Sequence, residues 1–306
     1  MSESIIFAGT PEVAALVLRD LAESGIPISV VITKPDSPVG RKKVLTESAV
    51  ARTARELGLR IIKSNQVDSA VLGELSLLNS KLAVVVAYGS ILRKEALNTL
   101  ELGWLNLHFS LLPRYRGPAP VQRVLLEGET VTGVTLFRID ESIDTGSIVS
   151  KLETEITPDE NSKDLLMRLA SLGGSLLKQE LPRIFSGFAK YSAQTGMPTQ
   201  APKLSRDESK VDFQKSSLEV HNQVRACNPE PGAWANSVNG ELKIHSSRIA
   251  SSPQLAPGEL RLEGSHLFVG CGKNTILELL EVQPSGKSRM SGPAWFRGLS
   301  GEKSLH

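Results

Sequence analysis

The sequence predicts a doubly wound α/β domain followed by a small β domain. Two observations carry this. Across residues 1–185, short apolar runs alternate with segments of helical periodicity, as parallel strands joined by crossover helices require. Beyond residue 206 the runs are short, alternating and separated by turn residues, which suits a small β structure. Between them, residues 186–206 are dense in Pro and Gly and lose periodicity, so they read as a linker. The expected division is 1–185, linker 186–206, and 207–306.

The chain enters a strand almost at once, at 4–8, and its start lacks the basic residues of a signal peptide. Gly9-Thr10-Pro11 then opens a helix at 11–24, with Thr10 expected as the cap and Pro11 at the first helical position. This turn is not a GxGxxG fingerprint. Pro11 also lacks the backbone donor a pyrophosphate needs, so no dinucleotide is expected. Strand 28–33 follows, then a loop at 34–43 marked by Pro35, Pro38 and Gly40. Helices at 46–57 and 68–78 alternate with strands at 60–63 and 82–87. Strand 105–108 and helix 118–126 come next, then strands 131–138 and 148–155, and a long helix at 162–184. In the C-terminal part, helix 217–226 precedes strands at 233–238, 241–246, 258–263, 266–270 and 275–282.

Composition narrows the class. The 306 residues are enough for two domains, and 40% are hydrophobic. The formal net charge is only +2, and residues 207–306 hold eleven basic and eleven acidic residues, so any RNA surface must be a local patch. Two distant cysteines, Cys227 and Cys271, offer neither metal spacing nor a disulfide framework, which agrees with a reducing cytoplasm. No apolar run approaches the ~18 residues of a membrane span.

The most informative segment runs from Asn106 to Gly117. Asn106 and His108 are two apart, so a strand puts both on one face. An unperturbed imidazole titrates near ~6.5, poised to donate or accept at neutral pH. Twenty-eight residues after Arg116, Asp144 precedes Thr145-Gly146, while Asp140 reads as a loop-shaping residue. An amide, an imidazole and a carboxylate at strand ends make a proton-transfer site with an oxyanion stabiliser. No Ser or Cys nucleophile is needed, which suits direct transfer of a small acyl group to an amine. Lys34, Arg41, Lys42 and Lys43 face only Asp36 in their loop, on the rim where a ligand belongs, and can meet phosphates. Arg114 and Arg116 stay open between a sheet-edge ion pair, RNA phosphate and an anionic ligand tail. Trp234 and Trp295 read as packing residues, and His245 and His266 as structural or exposed.

Taken together, Asn-x-His, Ser110-Leu111-Leu112-Pro113 and Asp144-Thr-Gly resemble the formyltransferases that use 10-formyltetrahydrofolate. Phe7-Ala-Gly9-Thr10-Pro11, Lys34-Pro-Asp36, Val86-Ala-Tyr88-Gly89 and Cys227-Asn-Pro229 extend the resemblance over essentially the whole chain. It is strongest to those members that formylate methionyl initiator tRNA. The resemblance implies a Rossmann-like catalytic domain and an OB-like C-terminal domain that binds tRNA. It implies Asn106, His108 and Asp144 as the catalytic trio, with folate along Ser110, Leu111, Leu112 and Pro113 and beside Val86, Tyr88 and Gly89. Arg41, Lys42 and Lys43 would reach the acceptor arm of a charged initiator tRNA. It further implies formyl folate as donor, no metal, no membrane and a cytoplasmic monomer. Two positions depart from the pattern: Phe109 stands where many relatives carry Gly, narrowing the folate pocket or filling its wall, and the basic loop is one residue shorter than in some relatives. Rival readings are a formyltransferase acting on glycinamide ribonucleotide or an amino sugar, a formyl-folate hydrolase, and an RNA-binding adapter with a dead core. The basic loop and C-terminal β domain favour a macromolecular acceptor, and the intact trio disfavours the adapter.

Overall fold

The computed structural model describes residues 3–40, 42–301 and 303–306. The chain divides into two units built from discontinuous segments: Met1–Gly117, Thr132–Thr154 and Leu166–Gln200 in one, and Pro118–Val131, Glu155–Leu165 and Ala201–His306 in the other.

In chain order come β1 (Ile5–Gly9), α1 (Glu12–Glu23), β2 (Ile28–Thr33), β3 (Ser37–Val39), β4 (Val44–Thr46), α2 (Ala49–Glu56), β5 (Ile61–Lys63), α3 (Ser69–Ser76), β6 (Leu82–Val86), α4 (Lys94–Leu97) and β7 (Gly103–His108). After α5 (Pro120–Leu126), which lies in the second unit, follow β8 (Val131–Arg138), β9 (Ile148–Glu155) and α6 (Ser162–Phe185). The first unit's sheet has the order β5-β2-β1-β6-β7-β8-β9. Its first five strands are mutually parallel, and β8 runs antiparallel to β7. The order reverses between β1 and β6, so this is a doubly wound sheet whose switch point lies beside the end of β6. β1 and β6 are buried at every position, as sheets covered on both faces require.

Two local expectations are corrected. Residues 37–46 are not a loop throughout: β3 and β4 pair antiparallel, with Val39 opposite Val44. An edge strand tolerates Pro38, Gly40 takes a left-handed turn (φ 71°), and Val39, Val44 and Leu45 have strand propensity despite their exposure. Thr10 does not cap α1. Its hydroxyl donates to the Tyr88 carbonyl (3.0 Å), tying the end of β1 to the segment after β6, and Pro11 occupies the cap position.

The second unit contains α5, then α7 (Ser217–Cys227), β10 (Ala233–Ser237), β11 (Gly240–Ala250), β12 (Leu260–Glu263), β13 (His266–Cys271), β14 (Thr275–Pro284), β15 (Met290–Ser291) and α8 (Gly292–Arg297). Its antiparallel sheet has the order β10-β11-β14-β13-β12, with β15 added on β14. Val220 and Val224 of α7 join Leu242, Ile244, Leu267, Val269, Leu277 and Leu279 in its core. A reciprocal Ser216–Glu219 capping box starts α7. α5 packs on α7, and Arg123 of α5 pairs with Glu208 (2.7 Å). Among the described residues, no helix is long and apolar enough to cross a membrane.

Candidate active site

β7 supplies Asn106 and His108 on one face and Leu107 on the other. On the Leu107 side α6 comes close: a Cβ on Gly173 would stand 2.4 Å from Leu107 Cδ2. Asn106 is half-buried and His108 is buried. His108 Nε2 lies 2.8 Å from the Tyr115 carbonyl oxygen. A carbonyl only accepts, so Nε2 carries a proton and Nδ1 is the nitrogen left for chemistry. Nδ1 lies 3.8 Å from Asp144 Oδ2, too far for a direct hydrogen bond.

Asp144 sits in a left-handed conformation (φ 52°) and accepts the Gly117 N–H at Oδ2 (2.7 Å). The loop that carries it turns back tightly on β8. A Cβ at Gly146 would fall 1.7 Å from the Arg138 carbonyl oxygen, so no other residue fits there without a shift. Asp140 Oδ1 accepts from the Ser142 N–H (3.1 Å) and the Thr145 hydroxyl (2.6 Å), shaping the same loop. The structure thus brings His108 and Asp144 together and puts Asn106 on the same strand face.

The 109–113 segment is fixed from below. Thr135 of β8 donates to the Ser110 carbonyl (2.6 Å) and accepts the Leu112 N–H (3.1 Å). The Ser110 hydroxyl donates to the Arg114 carbonyl, and the Lys151 ammonium donates to the Leu112 carbonyl. Phe109, Leu112 and Pro113 are buried and Leu111 half-buried. Val86, the last residue of β6, is buried, and just beyond it Ala87 and Gly89 are exposed with positive φ (47° and 78°). Tyr88 turns into the core. Its hydroxyl donates to the Ser64 carbonyl (2.8 Å), and burial pushes it up to about 12. Ala87 and Gly89, not Tyr88, are what this turn exposes.

Lys34 is engaged elsewhere: its ammonium donates to the Asn65 carbonyl (2.6 Å) and lies over the Tyr88 ring. Lys42 and Lys43 are exposed at the tip of the β3–β4 hairpin, whereas Arg41 lies outside the described residues. Arg114 stacks on Tyr115. Arg116 donates to the side chain of Gln194 through Nε (3.2 Å) and Nη2 (2.7 Å). Gln194 and Thr199, which meet this site, were invisible in the sequence because their segment has no periodicity. The Cys227 and Cys271 thiols are free and buried, each pushed up to about 12 by burial. Among the described residues, no group of three His, Cys, Asp or Glu side chains is arranged to hold a metal ion.

The family model described as Formyl transferase matches residues 3–181, and that described as Formyl transferase, C-terminal domain matches residues 203–300. The chain belongs to the formyltransferase family. Within it, the chain is 40% identical to a methionyl-tRNA formyltransferase of Arthrobacter sp. (strain FB24), over 96% of both chains. It is 41% identical to that of Paenarthrobacter aurescens (strain TC1), over 97% of both. The N-formyltransferase of Helicobacter canadensis, solved with folinic acid and dTDP-3-aminofucose, shares the fold at TM-score 0.67. It is 23% identical, and the match covers 90% of this chain and 98% of that one. Formyltransferase chemistry uses 10-formyltetrahydrofolate as the donor, and the doubly wound domain followed by an antiparallel domain is the architecture predicted from the sequence.

Proposed function

We propose that this chain transfers the formyl group of 10-formyltetrahydrofolate to the α-amino group of methionyl initiator tRNA, giving N-formylmethionyl-tRNA for translation initiation. The observation that carries this is full-length similarity to methionyl-tRNA formyltransferases, which includes the C-terminal domain. In this reading residues 1–185 are catalytic, 186–206 link, and 207–306 form an OB-like domain that binds tRNA. In this reading the chain acts as a monomer. A translation substrate fits a cytoplasmic location.

The amine attacks the formyl carbon, the bond from that carbon to N10 breaks, and one proton passes from the amine to N10. Asn106 and His108 stabilise the oxygen anion of the tetrahedral species. Because Nε2 stays on the Tyr115 carbonyl, His108 donates from Nδ1, and that donation needs a proton on both ring nitrogens. Asp144, 3.8 Å from His108 Nδ1, helps pass the amine's proton to N10, through a water or through His108. Ser110, Leu111, Leu112 and Pro113, held by Thr135, and the 86–89 turn, where Ala87 and Gly89 are exposed beside buried Val86 and Tyr88, fit a flat heterocycle with hydrogen-bonding edges. The donor supplies only the carbon at the right oxidation level.

Arg41, Lys42 and Lys43 contact the acceptor arm in this reading. The test measures formylation of charged methionyl initiator tRNA against free methionine, glycinamide ribonucleotide and an amino-sugar nucleotide. Charged tRNA is expected to be much the fastest acceptor, and preference for a small amine would overturn the proposal. Replacing the three basic residues with Ala is expected to weaken tRNA binding and lower its salt slope by about 1 per lost phosphate contact. Folate affinity should hold. Weaker folate binding with an unchanged salt slope would put the hairpin over the donor instead.

A further inference from the structure

Among residues 191–200, only Gln194 and Thr199 are withdrawn from solvent; the other eight are exposed. Both reach the site. Gln194 Nε2 donates to the carbonyl oxygens of Asp144 (2.8 Å) and Gly146 (2.9 Å), while its Oε1 accepts from Arg116. The amide's orientation is forced, since carbonyls only accept and a guanidinium only donates. Thr199 accepts the Tyr115 N–H at its hydroxyl (2.8 Å) and the Arg116 N–H at its carbonyl (2.9 Å). Ser192 is tied to Ile148 at the start of β9 by two backbone hydrogen bonds (2.8 and 2.9 Å), which anchors the segment.

These contacts close a ring around the reacting pair. Tyr115 orients His108 through its carbonyl, and Gly117 holds the Asp144 carboxylate. Arg116, between them in sequence, is bound through Gln194 to the backbone of Asp144 itself. A left-handed Asp persists only where its surroundings over-determine it, and Gln194 supplies two of those constraints. We propose that Gln194 is a positioning residue for the formyl transfer: its amide joins the Asp144 loop to the 115–117 segment and so sets the placement of the Asp144 carboxylate against His108 Nδ1. The inference rests on the catalytic reading of that pair given above.

The test uses the full-length chain and single-turnover formylation of charged methionyl tRNA, with KM for both substrates and thermal unfolding measured alongside. Gln194→Ala is expected to slow the chemical step by about 10- to 100-fold, as a small misplacement of reacting groups does. KM for either substrate should stay near wild type, since the loss falls on the transition state. Gln194→Glu keeps an acceptor for Arg116 but sets a carboxylate oxygen against two carbonyls, so it should be at least as slow. In an Asp144→Asn background the Gln194→Ala penalty should largely vanish, because the group it positions is already disabled. A rate for both Gln194 variants equal to wild type overturns the inference alone. So does the same fold-loss with and without Asp144, because Gln194 would then act elsewhere. If Gln194→Ala does not fold, the Gln194→Glu pair of backgrounds decides by the same criteria. A wild-type chain inert on charged tRNA overturns the functional reading, and this inference with it.

Discussion

His108→Ala is expected to lower single-turnover formylation by about 10²- to 10⁴-fold, the range of a positioned acid–base group. Asn106→Ala should cost about 10²- to 10³-fold, as the loss of one oxyanion donor does. Asp144→Ala should be similarly slow. The three differ in what else they disturb. Removing the imidazole also frees the Tyr115 carbonyl, and removing the Asp144 carboxylate frees the Gly117 N–H. Asn106 is half-buried at the strand end, so its loss should leave the surrounding structure least changed. Asp144→Asn is the cleaner probe of the carboxylate, because its side-chain oxygen can still accept from Gly117 while the charge is gone. Circular dichroism and thermal unfolding check that each variant is folded. Near-normal rates in two of the three alanine variants would sink the assignment of the trio.

What the sequence revealed of this site follows a physical division. Asn106 and His108 were legible because a strand's two-residue period fixes a shared face without knowledge of anything else. The doubly wound sheet was legible for a similar reason: buried parallel strands are written as continuous apolar runs such as Leu82–Val86. The resemblance supplied Asp144, which periodicity alone could not place, since its loop is shaped by Asp140 and by the close approach at Gly146. The β3–β4 hairpin was missed because Pro38 and Gly40 are loop signals unless the strand is an edge. Gln194 and Thr199 were missed for a deeper reason. They act through hydrogen bonds to backbone far away in sequence, and no local pattern of polar residues encodes such partners.

Cutting the chain after Gln200 is expected to destroy the fold rather than release a working catalytic core. The segment removed begins at Ala201, but residues 118–131 and 155–165, which stay behind, belong to the same compact unit as the part that is lost. α5 is the clearest case. Val121, Val124 and Leu125 are each no more than 1% exposed, and α5 packs on α7, which the cut deletes. The Arg123 guanidinium would also lose Glu208 and its bonds to the carbonyls of Pro202 and Lys203. Fully uncovering three such apolar side chains costs at most about 5–9 kcal/mol. That is comparable to the roughly 5–15 kcal/mol by which most domains are stable at all. The 1–200 fragment should therefore aggregate or melt without cooperativity, and lose folate-analogue binding together with formylation. Thermal unfolding and titration with a folate analogue check this. A soluble fragment that melts cooperatively and binds the analogue as the full chain does would show that α5 needs no cover from α7. On the expected result, loss of activity by deletion says nothing about tRNA recognition. The RNA role of residues 207–306 has to be tested by substituting exposed basic residues such as Arg248, Lys273 and Lys287 in the full-length chain, where the core stays intact and the salt slope reports each phosphate contact.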